Sequence, residues 1–184
     1  KASPILFTVY GSLAAGIFEE NGRLFGYKVL LSKNNDIETS VAYGIGHGGI
    51  EAILLLGVTY VLYIIASLGI SVGDAATDLS LQEIIAGITP EYCLLAMWER
   101  SSAIILHIAL SIFMFIAAKE QGKLWLYPMS IFIHALADVP AALYQFGVIK
   151  SLVLIELYIF IYCLITLIPA IILYRNRSNS PLQA

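Results

Sequence analysis

Five long apolar blocks dominate the chain, at about 3–31, 41–70, 90–118, 124–149 and 151–174, with short polar segments between them. Each exceeds the roughly 20 residues that a helix needs to cross about 30 Å of hydrocarbon. The runs are continuous rather than alternating, and a helix satisfies its own backbone in lipid. The pattern therefore predicts an all-α, polytopic transmembrane bundle of five spans rather than a barrel. Breakers mark the longest connection: Gly69, Gly73, Asp74 and Gly87 flank "LSLQEII", a short interfacial helix, and Thr89 caps a span that opens on Pro90. Pro140 is expected to kink the fourth span just beyond Asp138.

Composition agrees, with 59% hydrophobic and 12% charged residues among 184, the balance of an integral membrane protein. Charge then orients the spans. "RLFGYKVLLSK", "KEQGK" and "YRNRSNSPLQA" carry the basic residues, whereas "SVGDAATDLSLQEIIAGITPE" is acidic with no base. By the positive-inside rule the basic segments and the C-terminus are expected in the cytoplasm. A net charge of −3 without a basic stripe excludes a nucleic-acid partner. Cys93 and Cys163 fall in apolar runs and read as small hydrophobes. No composition shift or repeat divides the chain, so 1–184 is expected to form a single membrane domain. Because it starts at Lys1, with an apolar run at once, further sequence is expected before it.

Polar residues inside the spans change the picture. All three histidines, His47, His107 and His134, lie there, with Glu19, Glu20, Glu51, Glu99, Arg100 and Asp138. Ionisable groups at membrane depth are expensive and generally face a bundle interior or a wet cavity. Glu19 and Arg23, His47 and Glu51, and His134 and Asp138 are spaced i, i+4, so each pair shares a helix face. At 1.5 Å per residue from the basic ends, Glu51, His107, His134 and Glu19 lie about 15, 17, 15 and 18 Å deep, one polar layer. Glycines around His47 permit close helix approach. Glu99 with Arg100 reads equally well as a structural ion pair, and Glu156 as a snorkelling acid near a helix start.

These stretches resemble the YhfC-type membrane proteins, relatives of the PrsW-like and CAAX-processing intramembrane peptidases. "EENGR" supplies Glu19, Glu20 and Arg23; "GIGHGGIEAI" supplies Glu51, with His47 particular to the YhfC-like version; "ERSSAIILHIALS" supplies His107; "HALAD" supplies His134 and Asp138. The resemblance covers roughly residues 10–145. It implies an intramembrane endopeptidase of a prokaryotic plasma membrane, acting on a membrane-embedded or lipid-modified protein or peptide. It further implies Glu19 as general base, His107 positioning the water, and His134 with Asp138 at the oxyanion. Glu20 and Arg23 would hold Glu19.

Two chemistries remain open at this stage. One uses water activated by glutamate and histidine with no cofactor; the other uses zinc, with His47, Glu51, His107 and His134 as ligands. No H-E-x-x-H occurs; the nearest arrangement, His47 and Glu51, is H-x-x-x-E. A transporter or proton relay, and a non-catalytic scaffold of a membrane complex, are the readings from other classes.

Overall fold

Local chemistry fixes where the helices begin. In the computed structural model, which describes residues 3–179, the Asp74 side chain accepts from the Thr77 amide, Thr89 from the Tyr92 amide and Ser151 from the Leu154 amide, each capping a helix. Prolines occupy the first turns at Pro4 and Pro90. The described residues form six helices: α1 (Pro4–Phe25), α2 (Glu38–Ser67), α3 (Ala75–Ala86), α4 (Pro90–Lys119), α5 (Leu126–Gln145) and α6 (Leu152–Ser178). A π-helical turn, Gly26–Leu30, prolongs α1, and another, Ile53–Gly57, interrupts α2.

Four helices, α2, α4, α5 and α6, are long and apolar enough to cross a membrane, one fewer than the five predicted spans. The difference is α1. Its 22 residues give it the length, but Glu19, Glu20, Asn21 and Arg23 crowd its last two turns and lower its apolarity. That polar end is sheltered by protein instead, since Glu20 and Arg23 are both fully buried.

α4 is the hub. It touches α1, α2, α5 and α6, and from Ala109 to Ala117 it is buried almost without interruption. α2 runs antiparallel along it, with Gly44 beside Ile108, Glu51 on Arg100 and Tyr60 on Cys93. α1 runs antiparallel to α5, with Phe7 against Phe146, Gly16 against Ile131 and Asn21 accepting from the Tyr127 hydroxyl. Two notches set these distances. A Cβ on Gly44 would fall 2.5 Å from the Ile108 Cα, and one on Gly16 would fall 2.8 Å from the Ile131 carbonyl oxygen. Only a residue without a side chain lets the backbones meet so closely.

The acidic connection is tied down as well. Asp78 accepts from the Ser71 hydroxyl at 2.6 Å and the Val72 amide at 3.0 Å, while Gln82 reaches the Ala66 carbonyl at 2.8 Å. Hydrogen bonds to the ionised form hold the Asp78 carboxyl below its ordinary range, as the Thr77 side chain and amide do for Asp74. One expectation needs correction. Glu156 does not snorkel: it is 5% exposed, and its Oε2 has no hydrogen-bond partner among the described residues. Pro140 lies inside α5, which continues past it to Gln145.

Candidate metal and catalytic centre

The polar residues of four helices meet where α1, α2, α4 and α5 come together. α1 delivers Glu19, Glu20 and Arg23 from successive positions of its last turns. Glu20 and Arg23 point into the bundle and form an i, i+3 ion pair, Oε2 to Nε 3.1 Å, completely shielded from the surroundings. The Arg23 guanidinium then spans to α4, where Nη1 donates to the His107 carbonyl at 3.0 Å and to the Ser111 hydroxyl, and Nη2 meets His107 Nδ1 at 3.0 Å. The other oxygen of Glu20 lies 2.9 Å from His134 Nδ1 on α5. One buried ion pair therefore grips both buried imidazoles.

A more open layer lies beyond it. Glu19 is one-third exposed, and its Oε2 stands 3.1 Å from His47 Nε2 and 3.6 Å from His134 Nε2. Glu51 uses its two oxygens separately: Oε1 accepts from Arg100 Nη1 at 2.7 Å and Oε2 meets His107 Nε2 at 2.5 Å. Arg100 also pairs with Glu99, its neighbour in sequence, so the anticipated ion pair exists but is extended across to α2. Asp138, 40% exposed, lies 3.9 Å from His134 Nε2. The His47 and His107 rings stack at 4.7 Å, and the His107 and His134 rings meet edge to face at 5.6 Å.

All ten residues singled out from sequence thus belong to one connected cluster. Their partners differ from their sequence neighbours: Arg23 pairs with Glu20 rather than Glu19, His47 with Glu19, and Glu51 with His107. Sequence reasoning missed Ser111, although it lies one turn after His107 on the same face of α4, and Tyr43, whose ring centre is 6.0 Å from the Arg23 guanidinium carbon. One ligand atom from each of Glu19, His47, Glu51 and His107 falls within 4.8 Å of the others. Imidazole nitrogen and carboxylate oxygen are the donors zinc takes, so the cluster suits such an ion chemically. A largely apolar cavity of about 420 Å³ begins one residue beyond Glu51, lined by Ala52, Ile53, Leu56, Gly57, Tyr60 and Met97 among others. It coincides with the π-helical turn of α2, a distortion that often accompanies functional sites.

Fold and cluster together define an integral membrane helical protein with a histidine and carboxylate centre inside its bundle. The chain belongs to the YhfC intramembrane metalloprotease family, whose model matches residues 1–159. It is 35% identical over 167 residues to the "Uncharacterized membrane protein YhfC" of Bacillus subtilis (strain 168). The match covers 85% of this chain and 64% of that protein, so the chain spans less than two-thirds of the relative's length. No solved structure matches it.

Proposed function

We propose that this chain carries the catalytic centre of an intramembrane metallopeptidase that hydrolyses a peptide bond in a membrane-embedded or lipid-modified protein. Its basic helix ends and C-terminus face the cytoplasm. The observation that carries the reading is the convergence of Glu19, His47, Glu51, His107 and His134 from four helices. Glu19 and His47 would hold zinc together with an imidazole from α4 or α5, and the ion would supply Lewis-acid polarisation of the scissile carbonyl and acidification of a bound water.

The protein groups do the rest. Glu51, its carboxylate fixed by one donor at each oxygen, is oriented to take the proton of the attacking water and return it to the leaving amine. This departs from the division the resemblance implies, in which Glu19 takes that proton. Asp138 is partly exposed, so its carboxylate can accept a hydrogen bond from a substrate amide.

The test is cleavage of candidate membrane proteins by the purified protein in vesicles. Cleavage should stop on chelation, return with zinc, and fall about 10²–10⁴-fold in Glu51→Gln. Cleavage indifferent to both chelation and Glu51→Gln would refute the reading, and solute flux without cleavage would favour a transporter.

A further inference from the structure

The partners of the buried imidazole nitrogens are fixed in type, and these determine where the hydrogens of a neutral ring sit. Arg23 can only donate, so the Nδ1 of His107, 3.0 Å from Nη2, must present its lone pair. In a neutral ring the hydrogen is then on Nε2, which gives it to Glu51 Oε2 at 2.5 Å. His134 is set the other way. Its Nδ1 lies 2.9 Å from Glu20 Oε1, a carboxylate already paired with Arg23, which can only accept from the ring. In a neutral ring the hydrogen is therefore on Nδ1, and Nε2 turns its lone pair toward Glu19 Oε2 at 3.6 Å and Asp138 Oδ2 at 3.9 Å. A lone pair facing two carboxylates is repulsive unless a proton or a metal cation lies among them, and the spacing of the ligand atoms bears on the metal cation.

We infer that the buried Glu20–Arg23 pair sets the two imidazoles in opposite tautomers, making His134 the metal ligand and His107 a hydrogen-bond donor outside the ligand set. Although one ligand atom from each of Glu19, His47, Glu51 and His107 lies within 4.8 Å of the others, not every spacing in the cluster suits two ligands of one ion. Zinc bonds of about 2.0–2.1 Å at tetrahedral angles put neighbouring ligand atoms about 3.3 Å apart. Glu19 Oε2 stands 3.1 Å from His47 Nε2 and 3.6 Å from His134 Nε2, on either side of that value. His107 and Glu51 at 2.5 Å are too close to be two ligands of one ion and suit a hydrogen bond to a carboxylate. Glu20 on His134 Nδ1 is also the outer carboxylate that commonly orients a zinc-bound histidine. The ligand set is then Glu19, His47 and His134, with Glu51 and His107 left as a hydrogen-bonded pair beside it.

The inference rests on the metallopeptidase reading for the ion's presence, and its test separates the two. Zinc stoichiometry and affinity are measured by chelator competition on the purified chain, with no substrate. Wild type should bind one ion. His134→Gln should bind at least 100-fold more weakly, Glu20→Gln about 10–100-fold more weakly, and His107→Gln within about threefold of wild type while losing cleavage. Equal losses in His107→Gln and His134→Gln, or loss in His107→Gln alone, overturn the assignment. If wild type binds no zinc, the metal reading fails by itself. The tautomers are read separately, and without any variant that could misfold, from histidine-labelled ¹⁵N spectra of metal-free wild type. Those should show hydrogen on His107 Nε2 and His134 Nδ1; hydrogen on His107 Nδ1 overturns the inference.

Discussion

The glycines around His47 make the sharpest test of how the centre is held, because they divide into two that touch α4 and two that touch nothing. A Cβ on Gly44 would lie 2.5 Å from the Ile108 Cα and 2.9 Å from both the Ile108 nitrogen and the His107 carbonyl oxygen, while one on Gly46 or Gly49 would meet nothing within 4 Å. The atoms opposite Gly44 are backbone of the hub helix and cannot rotate away. Ordinary contact begins at 3.4 Å, so Gly44→Ala must part α2 from α4 by about 1 Å. Overpacking of this kind costs about 1–3 kcal/mol. Gly44→Ala and Gly46→Ala share the helix-propensity gain of up to about 1 kcal/mol, so the difference between them isolates the clash. The same displacement would stretch the 2.5 Å contact between Glu51 and His107 beyond hydrogen-bond range and move His47 off Glu19. Misplacement by 1 Å can cost a catalytic site about 10²-fold. The assay is denaturant unfolding in micelles combined with zinc affinity, for both variants and wild type. Gly44→Ala should be less stable than Gly46→Ala by about 1–3 kcal/mol and bind zinc more weakly. If the two variants match in both measurements, the notch does not position the centre.

Two other perturbations probe the layers on either side. Arg23→Met leaves Glu20 buried without its counter-charge and should cost about 3–5 kcal/mol in unfolding, with only partial recovery in Arg23→Lys, which cannot reach Glu20, Ser111 and His107 together. A variant as stable as wild type would show that the pair is not what secures α1 to the bundle. In the acidic connection, Asp78→Ala removes the acceptor of the Val72 amide, whose hydrogen exchange should accelerate severalfold while amides of α4 stay unchanged. Because the folded Asp78 carboxyl titrates below its unfolded value of about 3.9, its contribution is fully present above that pH. It is lost only as pH falls through the lowered folded value. Protection of the Val72 amide that already disappears near pH 5 would contradict this assignment.

The spans were legible in the sequence because lipid makes the requirement local: a run of about 20 apolar residues must satisfy its own backbone. α2, α4, α5 and α6 follow from that rule. The cap read at Thr89 is equally local, a side chain bonding an amide three residues on, and Asp74 and Ser151, not read as caps, do the same. Helical spacing placed His47 with Glu51 and His134 with Asp138 on common faces, and the rise per residue put acids and imidazoles at one depth. What spacing leaves free is the order of the helices and the rotation of each about its axis. The notches at Gly16 and Gly44 fix those by letting α1 meet α5 and α2 meet α4 along particular faces. Only then does Arg23 turn to Glu20 and His107, Glu51 become the bridge between Arg100 and His107, and Glu156 end up buried. The same packing shelters the charged end of α1, whose composition alone falls short of a span. Sequence by itself determined which costly groups share a layer in the membrane. Tertiary packing decided which of them touch, because hydrogen bonds and ligand distances close over about 3 Å, far less than the width of a helix.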